Sequence, residues 1–210
     1  SEIKIEGVKR LGKGVIDVIP DRIEAGTYTI IGALLGKDLK ISGIIEEHIE
    51  ALLSKLKEMG VNIKIDNNSL IINKPSEYKA INVKTLVFPG FATDLGQPMS
   101  VLLTQANGMS IFEETIYENR MGHIKYLQKM GANIRVNDRT AIIVGPTPLN
   151  GEEVTATDLR AGAAMVIAGL IANGTTIVNE IDHILRGYEN IVEKLRNVGA
   201  QIEVKITEQE

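Results

Sequence analysis

A pattern of about 70 residues recurs three times in this chain, and a period of that size means three copies of one supersecondary unit sharing a core. Each copy ends a helix on a Met/Val-Gly-Val/Ala step into an alternating strand. The three steps are Met59-Gly60-Val61-Asn62-Ile63-Lys64-Ile65, Met130-Gly131-Ala132-Asn133-Ile134-Arg135-Val136 and Val198-Gly199-Ala200-Gln201-Ile202-Glu203-Val204. An aspartate that opens an apolar run stands 37 to 41 residues before each of those glycines: Asp21, Asp94 and Asp158. Features common to all three copies are read as architecture. Features of one or two copies are the candidates for function.

In the first unit, alternation over Val15-Ile16-Asp17-Val18-Ile19 predicts a strand, and Pro20-Asp21 a turn into a helix. Tyr28–Leu35 is apolar on nearly every side, so that helix should be buried. A strand over Leu39–Ser42 follows. Ile49, Leu52, Leu53 and Leu56 then form the stripe of an amphipathic helix within Glu46–Glu58. A hairpin of Val61–Ile65 and Leu70–Asn73 closes the unit across Asp66-Asn67-Asn68. The order is β-α-β-α-β-β.

The second unit repeats it with a strand near Ile81–Leu86, helix Asp94–Ala106, strand Met109–Glu113, helix Gly122–Met130 and a hairpin through Asn137-Asp138. The third has strand Glu152–Ala156, helix Asp158–Ala172, strand Thr175–Asn179, helix Tyr188–Val198 and strand Ala200–Lys205. The units run over about 11–74, 79–146 and 149–206 within a single domain. Small residues such as Gly26, Gly32, Ala33, Ala161–Ala164, Ala168 and Gly169 let helix axes approach, so three buried helices are expected in the interior. The third unit lacks its closing hairpin strand, and Glu2–Arg10 is a surplus one. We therefore expect Glu2–Arg10 to close the third sheet and so remove an open edge.

Composition narrows the partners. The net charge of −4 and 4% aromatics argue against nucleic acid. The longest apolar stretch, Ala161–Ala172, is too short and glycine-rich to span a membrane. Without cysteine there is no disulfide, thiolate ligand or thiol nucleophile. His48, His123 and His183 have no metal-ligand spacing and read as loop or helix-surface residues, and the glycines form neither a dinucleotide nor a phosphate-loop fingerprint.

The three aspartates read first as helix N-caps, most securely Asp21. Arg120 and Arg186 fall 11 and 13 residues before their glycines, where the first unit has Glu47 and His48, and Arg160 follows Asp158-Leu159. Threefold pseudosymmetry would turn these arginines and the helix N-termini toward one mouth suited to phosphate or carboxylate. The competing reading pairs the arginines with Glu118, Asp182 or Glu189 as structural ion pairs.

The motifs Phe91-Ala92-Thr93-Asp94-Leu95-Gly96-Gln97, Glu114-Thr115-Ile116-Tyr117-Glu118-Asn119-Arg120, Ala156-Thr157-Asp158-Leu159-Arg160-Ala161 and Arg186-Gly187-Tyr188-Glu189 resemble, in order, the enolpyruvyl transferase family. The closest likeness is to its branch acting on UDP-N-acetylglucosamine in peptidoglycan synthesis. Ile5-Glu6-Gly7-Val8 and Pro20-Asp21-Arg22-Ile23-Glu24 fit as well.

The resemblance implies a fold of three βαβαββ units in an inside-out α/β barrel with buried helices, one of two such domains. It implies transfer of the enolpyruvyl group of phosphoenolpyruvate to the 3-hydroxyl of the sugar, with release of phosphate, in the cytoplasm and without a cofactor. By resemblance Asp94 contacts that hydroxyl and serves as its base, and Ile116 contacts the nucleotide sugar through its backbone. Asp158 is tied to proton transfer. Arg120, Arg160 and Arg186 line the cleft, with Arg186 on phosphoenolpyruvate.

The family enzyme is about twice this length. Its mobile-loop cysteine donor and N-terminal lysine-asparagine pair have no counterpart here. The chain is therefore expected to correspond to the C-terminal domain, to need the N-terminal domain as partner and to be inactive alone. The alternatives are a shikimate-pathway transferase and a non-catalytic repeat domain that binds a phosphorylated ligand. RNA-end-processing cyclases share related units, but the acidic balance disfavours RNA.

Overall fold

A computed structural model describes residues 2–205; position 206, the last assigned to the third unit, lies outside them. Helix α1 (Arg22–Leu35) starts where Asp21 accepts from the backbone N–H groups of Ile23 and Glu24, at 2.7 and 3.2 Å. Strand β1 (Leu39–Ser42), a 3-10 turn (Glu46–His48), α2 (Glu50–Glu58), β2 (Asn62–Asp66) and β3 (Ser69–Asn73) complete the first unit. The second holds β4 (Tyr78–Lys79), β5 (Asn82–Lys84), α3 (Gly96–Leu103), β6 (Ala106–Glu113), α4 (Ile124–Lys129), β7 (Asn133–Asn137) and β8 (Thr140–Gly145). The third holds β9 (Glu153–Thr155), α5 (Leu159–Ile171), β10 (Ile177–Asn179), α6 (Asp182–Leu185) and α7 (Ile191–Asn197).

The repeated glycine has one job in all three units. Gly60, Gly131 and Gly199 stand at φ of 94°, 104° and 96°, a left-handed conformation that costs other residues a Cβ clash. Their N–H groups donate to Lys57, Gln128 and Arg196, and those of Val61, Ala132 and Ala200 donate to Leu56, Leu127 and Leu195. That is the paired hydrogen-bond pattern of the Schellman motif, which satisfies the last carbonyls of a helix and turns the chain into the next strand.

β1, β3 and β2 form an antiparallel sheet in that order. The largest sheet runs β4-β6-β8-β7, with β5 also parallel to β6. β9 and β10 form a parallel pair. Helices α1, α3 and α5 contact one another in the interior, as the small residues predicted. Every residue of α3 is buried. The Cβ that Gly96 lacks would lie 2.5 Å from the Phe112 ring, so the glycine permits this close approach of α3 to β6.

Three expected strands are not formed. Val15–Ile19 and Glu2–Arg10 pair with nothing: Ile3, Val15 and Val18 are 88, 101 and 91% exposed. Glu2–Arg10 therefore does not close the third sheet. Ala200–Lys205 joins no ladder either, although Ile202 packs against the core. Alternation supplies a face, but a strand also needs a neighbour for its N–H and C=O groups, and here none lies alongside. The full β-α-β-α-β-β order is thus realised, among the described residues, only in the second unit. The helix expected over Asp94–Ala106 is also shorter, because Ala106 opens β6 instead. α6 was not foreseen.

Candidate functional site

Asp94 sits in a short 3-10 turn, Thr93–Leu95, and does not cap α3. The reason lies four residues on. In α1 the N–H of Ala25 donates to the carbonyl of Asp21, and in α5 that of Gly162 donates to Asp158. The equivalent residue in the second unit is Pro98, which has no N–H. A helix capped by Asp94 would lack its first hydrogen bond. It begins at Gly96, one residue later than such a cap would set it, where proline's missing donor has no partner to lose.

The carboxylate so released from capping is held by two cations. Arg120 Nη1 donates to Asp94 Oδ1 at 2.6 Å, and Arg160 Nη2 to Oδ2 at 3.0 Å. The bridge joins residues 66 apart in sequence and spans the second and third units. Each arginine has a second support. Arg120 lies over the Tyr117 ring with its guanidinium carbon 4.3 Å from the centroid. Arg160 donates to the Tyr188 hydroxyl at 3.2 Å, and that hydroxyl shares a 2.9 Å hydrogen bond with Thr27 of α1.

All three charged side chains are more than two-thirds buried. Burial pushes the Asp94 carboxyl upward, but the guanidinium groups outweigh it and hold the carboxyl below its usual range. Arg160 is pushed down by burial and raised on balance by Tyr188 and Asp94.

The other expected residues divide. Asp158 caps α5: its Oδ1 accepts from the N–H groups of Arg160 and Ala161 at 2.8 and 2.9 Å. Ile116 lies beside Tyr117 in the loop after β6, where Ile116, Tyr117, Glu118, Asn119, Arg120 and Arg139 line a shallow pocket. Arg186 stands exposed at the end of α6, outside the Asp94 cluster, and among the described residues forms no ion pair. The structural pairs weighed for the arginines are not the ones formed. Glu118 pairs with Arg139 at 3.0 Å, and Arg120 with Asp94.

Two residues beneath the cluster were not foreseen in these positions. His123, read as a surface residue, is fully buried. Its Nε2 lies 2.8 Å from Ser100 Oγ, and since that hydroxyl donates to the Gln97 carbonyl, the ring nitrogen is the donor. Burial drives the imidazole down to about 4, against the smaller opposing pull of Asp158 and the Arg120 carbonyl. Glu114, 2% exposed, accepts from Thr85, Thr93 and the N–H groups of Ile116 and Tyr117. The sequence signals for Glu114 are its place at the end of a strand and at the head of a family motif, but its partners Thr85 and Thr93 lie 29 and 21 residues away. His123 has none, since its partner lies 23 residues away on another helix.

The family signature described as EPSP synthase (3-phosphoshikimate 1-carboxyvinyltransferase) matches residues 1–195. UDP-N-acetylglucosamine 1-carboxyvinyltransferase 2 of Geobacillus kaustophilus is 47% identical over 209 residues, 99% of this chain and 49% of that protein. The protein of the same name from Bacillus subtilis is 50% identical over 201 residues, 95% of this chain and 47% of its own. The chain thus spans about half the length of the curated relatives it matches. Among solved structures, the enolpyruvyl transferase NikO from Streptomyces tendae superposes with a TM-score of 0.80 at 27% identity, over 89% of this chain and 44% of that one. EPSP synthase from Acinetobacter baumannii superposes at 0.68 with 21% identity, over 91% of this chain and 45% of that one, a likeness of fold alone. No helix among the described residues is long and apolar enough to cross a membrane.

Proposed function

The chain belongs to the enolpyruvyl transferase family, and on that premise we propose that it forms one wall of an active site for peptidoglycan synthesis. There the enolpyruvyl group of phosphoenolpyruvate passes to the 3-hydroxyl of UDP-N-acetylglucosamine, and phosphate is released. The name shared by relatives at 47 to 50% identity supports this substrate over shikimate 3-phosphate. The observation that carries the reading is the bridge from Asp94 to Arg120 and Arg160, because it gathers residues of three separate family motifs into one charged cluster.

In this reading the bridge is a resting state. With both oxygens bound by cations, Asp94 is ionised at neutral pH and a weak base. The phosphate and carboxylate of phosphoenolpyruvate compete for the same guanidinium groups, which bind such anions in a bidentate fork. Drawing an arginine away frees an Asp94 oxygen and raises its basicity just when a sugar hydroxyl must lose its proton. Arg186 adds an exposed cation for phosphoenolpyruvate, and the arginines stabilise charge as the tetrahedral intermediate forms and collapses.

Asp158 uses one oxygen to cap α5 and turns the other to proton transfer. Ile116 meets the nucleotide sugar through its backbone. The inside-out barrel of three units is the architecture that would aim these residues at one cleft. The opposite wall comes from the part of the relatives' length that this chain does not span, as a second domain acting with it in the cytoplasm. Positioning two substrates and excluding water both need that wall, so this chain alone should not turn over.

The test is an NMR titration of the chain with UDP-N-acetylglucosamine, with and without phosphoenolpyruvate. We expect saturable shifts around Asp94, Ile116 and Arg120 that disappear in Asp94→Ala. Shifts with shikimate 3-phosphate and none with the nucleotide sugar would sink the substrate assignment.

A further inference from the structure

We infer that Glu114 is a positioning residue for this site: its buried carboxylate ties the turn that carries Asp94 to the loop that carries Ile116, Tyr117 and Arg120. The inference rests on the reading above for what is positioned, and on hydrogen bonds alone for how.

Glu114 follows the last residue of β6, and its backbone N–H donates to the Arg139 carbonyl at 2.9 Å, which fixes where the side chain starts. Its Oε1 accepts from Thr85 Oγ1 at 2.9 Å and from the N–H groups of Ile116 and Tyr117 at 2.7 and 3.1 Å. Its Oε2 accepts from Thr93 Oγ1 at 2.7 Å. Four donors converge on one carboxylate, and no cation pairs with it among the described residues. A buried charge left without a counter-ion is tolerated when its lone pairs are filled in this way. Burial alone would raise this carboxyl; the donors reverse that and lower it, so it stays ionised.

The donors come from both sides of the site. Thr93 precedes Asp94 in the same 3-10 turn. Ile116 and Tyr117 begin the loop whose ring supports Arg120, and Arg120 in turn reaches Asp94. The contacts form a closed circuit from Glu114 through Thr93 and Asp94 to Arg120, Tyr117 and back. Glu114 is itself buried, so its effect on a ligand must pass through Asp94 and the loop.

Glu114→Gln keeps the shape and replaces one oxygen with an amide NH2. Its carbonyl oxygen can stay on the N–H groups of Ile116 and Tyr117 while the NH2 turns to Thr93, whose hydroxyl can rotate to accept, so the variant removes the charge that strengthens these bonds and sets the amide against Arg120 for the Thr93 oxygen. In the full chain, three quantities are followed by NMR: the carboxyl titration of Asp94, the amide shifts of Ile116 and Tyr117, and the titration with UDP-N-acetylglucosamine. The variant should move both amides upfield and raise the Asp94 titration as Arg120 drifts from it. It should weaken the nucleotide sugar about tenfold. Thr93→Val should raise the Asp94 titration in the same direction, and Thr93→Ser should restore parental behaviour.

A Glu114→Gln variant that melts earlier while Asp94, Ile116 and Tyr117 titrate and resonate as before would make Glu114 a stabilising residue only and overturn the inference. If Glu114→Gln does not fold, the Thr93→Val and Thr93→Ser pair decides the question. If the parent chain ignores the nucleotide sugar, the substrate reading suffers, while the Asp94 titration still decides this one.

Discussion

Asp94 and Asp158 occupy the same place in successive repeats, yet one is gripped by arginines and the other closes a helix. The residue four positions on separates them, Pro98 against Gly162. Where an N–H is available the helix starts early and absorbs the aspartate as its cap; where proline withholds it, the aspartate stays loose and another use is open. A repeat can thus divert a structural carboxylate to other chemistry by changing a residue that never touches it. The second unit also differs in that it buries His123 fully, while His183 of the third unit is only partly buried.

The largest expected effect separates the units by pH. His123 has its folded value depressed from 6.5 to about 4, so the fold favours the neutral ring. The unfolded chain then binds more protons through that interval, and stability present above about pH 6.5 is lost as pH falls toward 4. Linkage puts the loss at about 3 kcal/mol. Urea midpoints measured across this range should fall for the parent and lie nearly flat for His123→Gln. A slope that survives in the variant would assign the effect to another group. Asp94 and Glu114 have carboxyls depressed from 3.8 and 4.5, so their share is present above those unfolded values and is lost as pH falls through them toward the folded ones, overlapping only the low end of the His123 range.

Next in size is the contrast between the aspartates themselves. Asp94→Ala leaves two partly buried guanidinium groups without a counter-charge, and residual exposure reduces the cost to about 2 kcal/mol. That is a fall of roughly 4–8 °C in melting temperature. Asp158→Ala removes a cap for about 1 kcal/mol. Serine sharpens the comparison: Asp158→Ser should recover nearly all of that loss, because a hydroxyl also caps, whereas Asp94→Ser should recover almost nothing. Equal rescue at both sites would break the distinction.

The smallest effect is the most direct. Pro98→Ala restores the missing donor and should let α3 begin at Leu95 with Asp94 as its cap, changing stability by less than about 1 kcal/mol. The carboxyl of Asp94 would then divide between capping and Arg120, visible as a changed ¹³C shift. An unchanged Asp94 signal would show that the arginines, and not Pro98, keep it from the cap.

The parts of the fold that are local were open to reading from sequence. The three glycine steps, the buried run of α1 and the stripe of α2 each depend on residues within a few positions of one another, and each formed. Val15–Ile19 alternates as well as β2 does, but β2 has β3 folding back on it through a two-residue turn. Nothing so close brings a partner to Val15–Ile19.

The site divides in the same way. Asp158 as a cap follows from position. The pairing of Asp94 with Arg160 crosses 66 residues and two units, and no spacing rule contains it. The repeat and the family motifs both turned the arginines and the helix starts toward one mouth; neither contained the pairing itself. Pro98 was legible throughout, since the loss of one N–H four residues after an aspartate needs no structure to notice.

Thr27 on α1 belongs to the unit that lends no charge to the Asp94 cluster. Its hydroxyl nevertheless meets that of Tyr188, which meets Arg160, which meets Asp94. The first unit therefore acts on the site as a lever acts through linked rods: any sliding of α1 against α5 must stretch this series or swing Arg160. The distance between Arg160 and Asp94 becomes a gauge of how α1 is seated against α5.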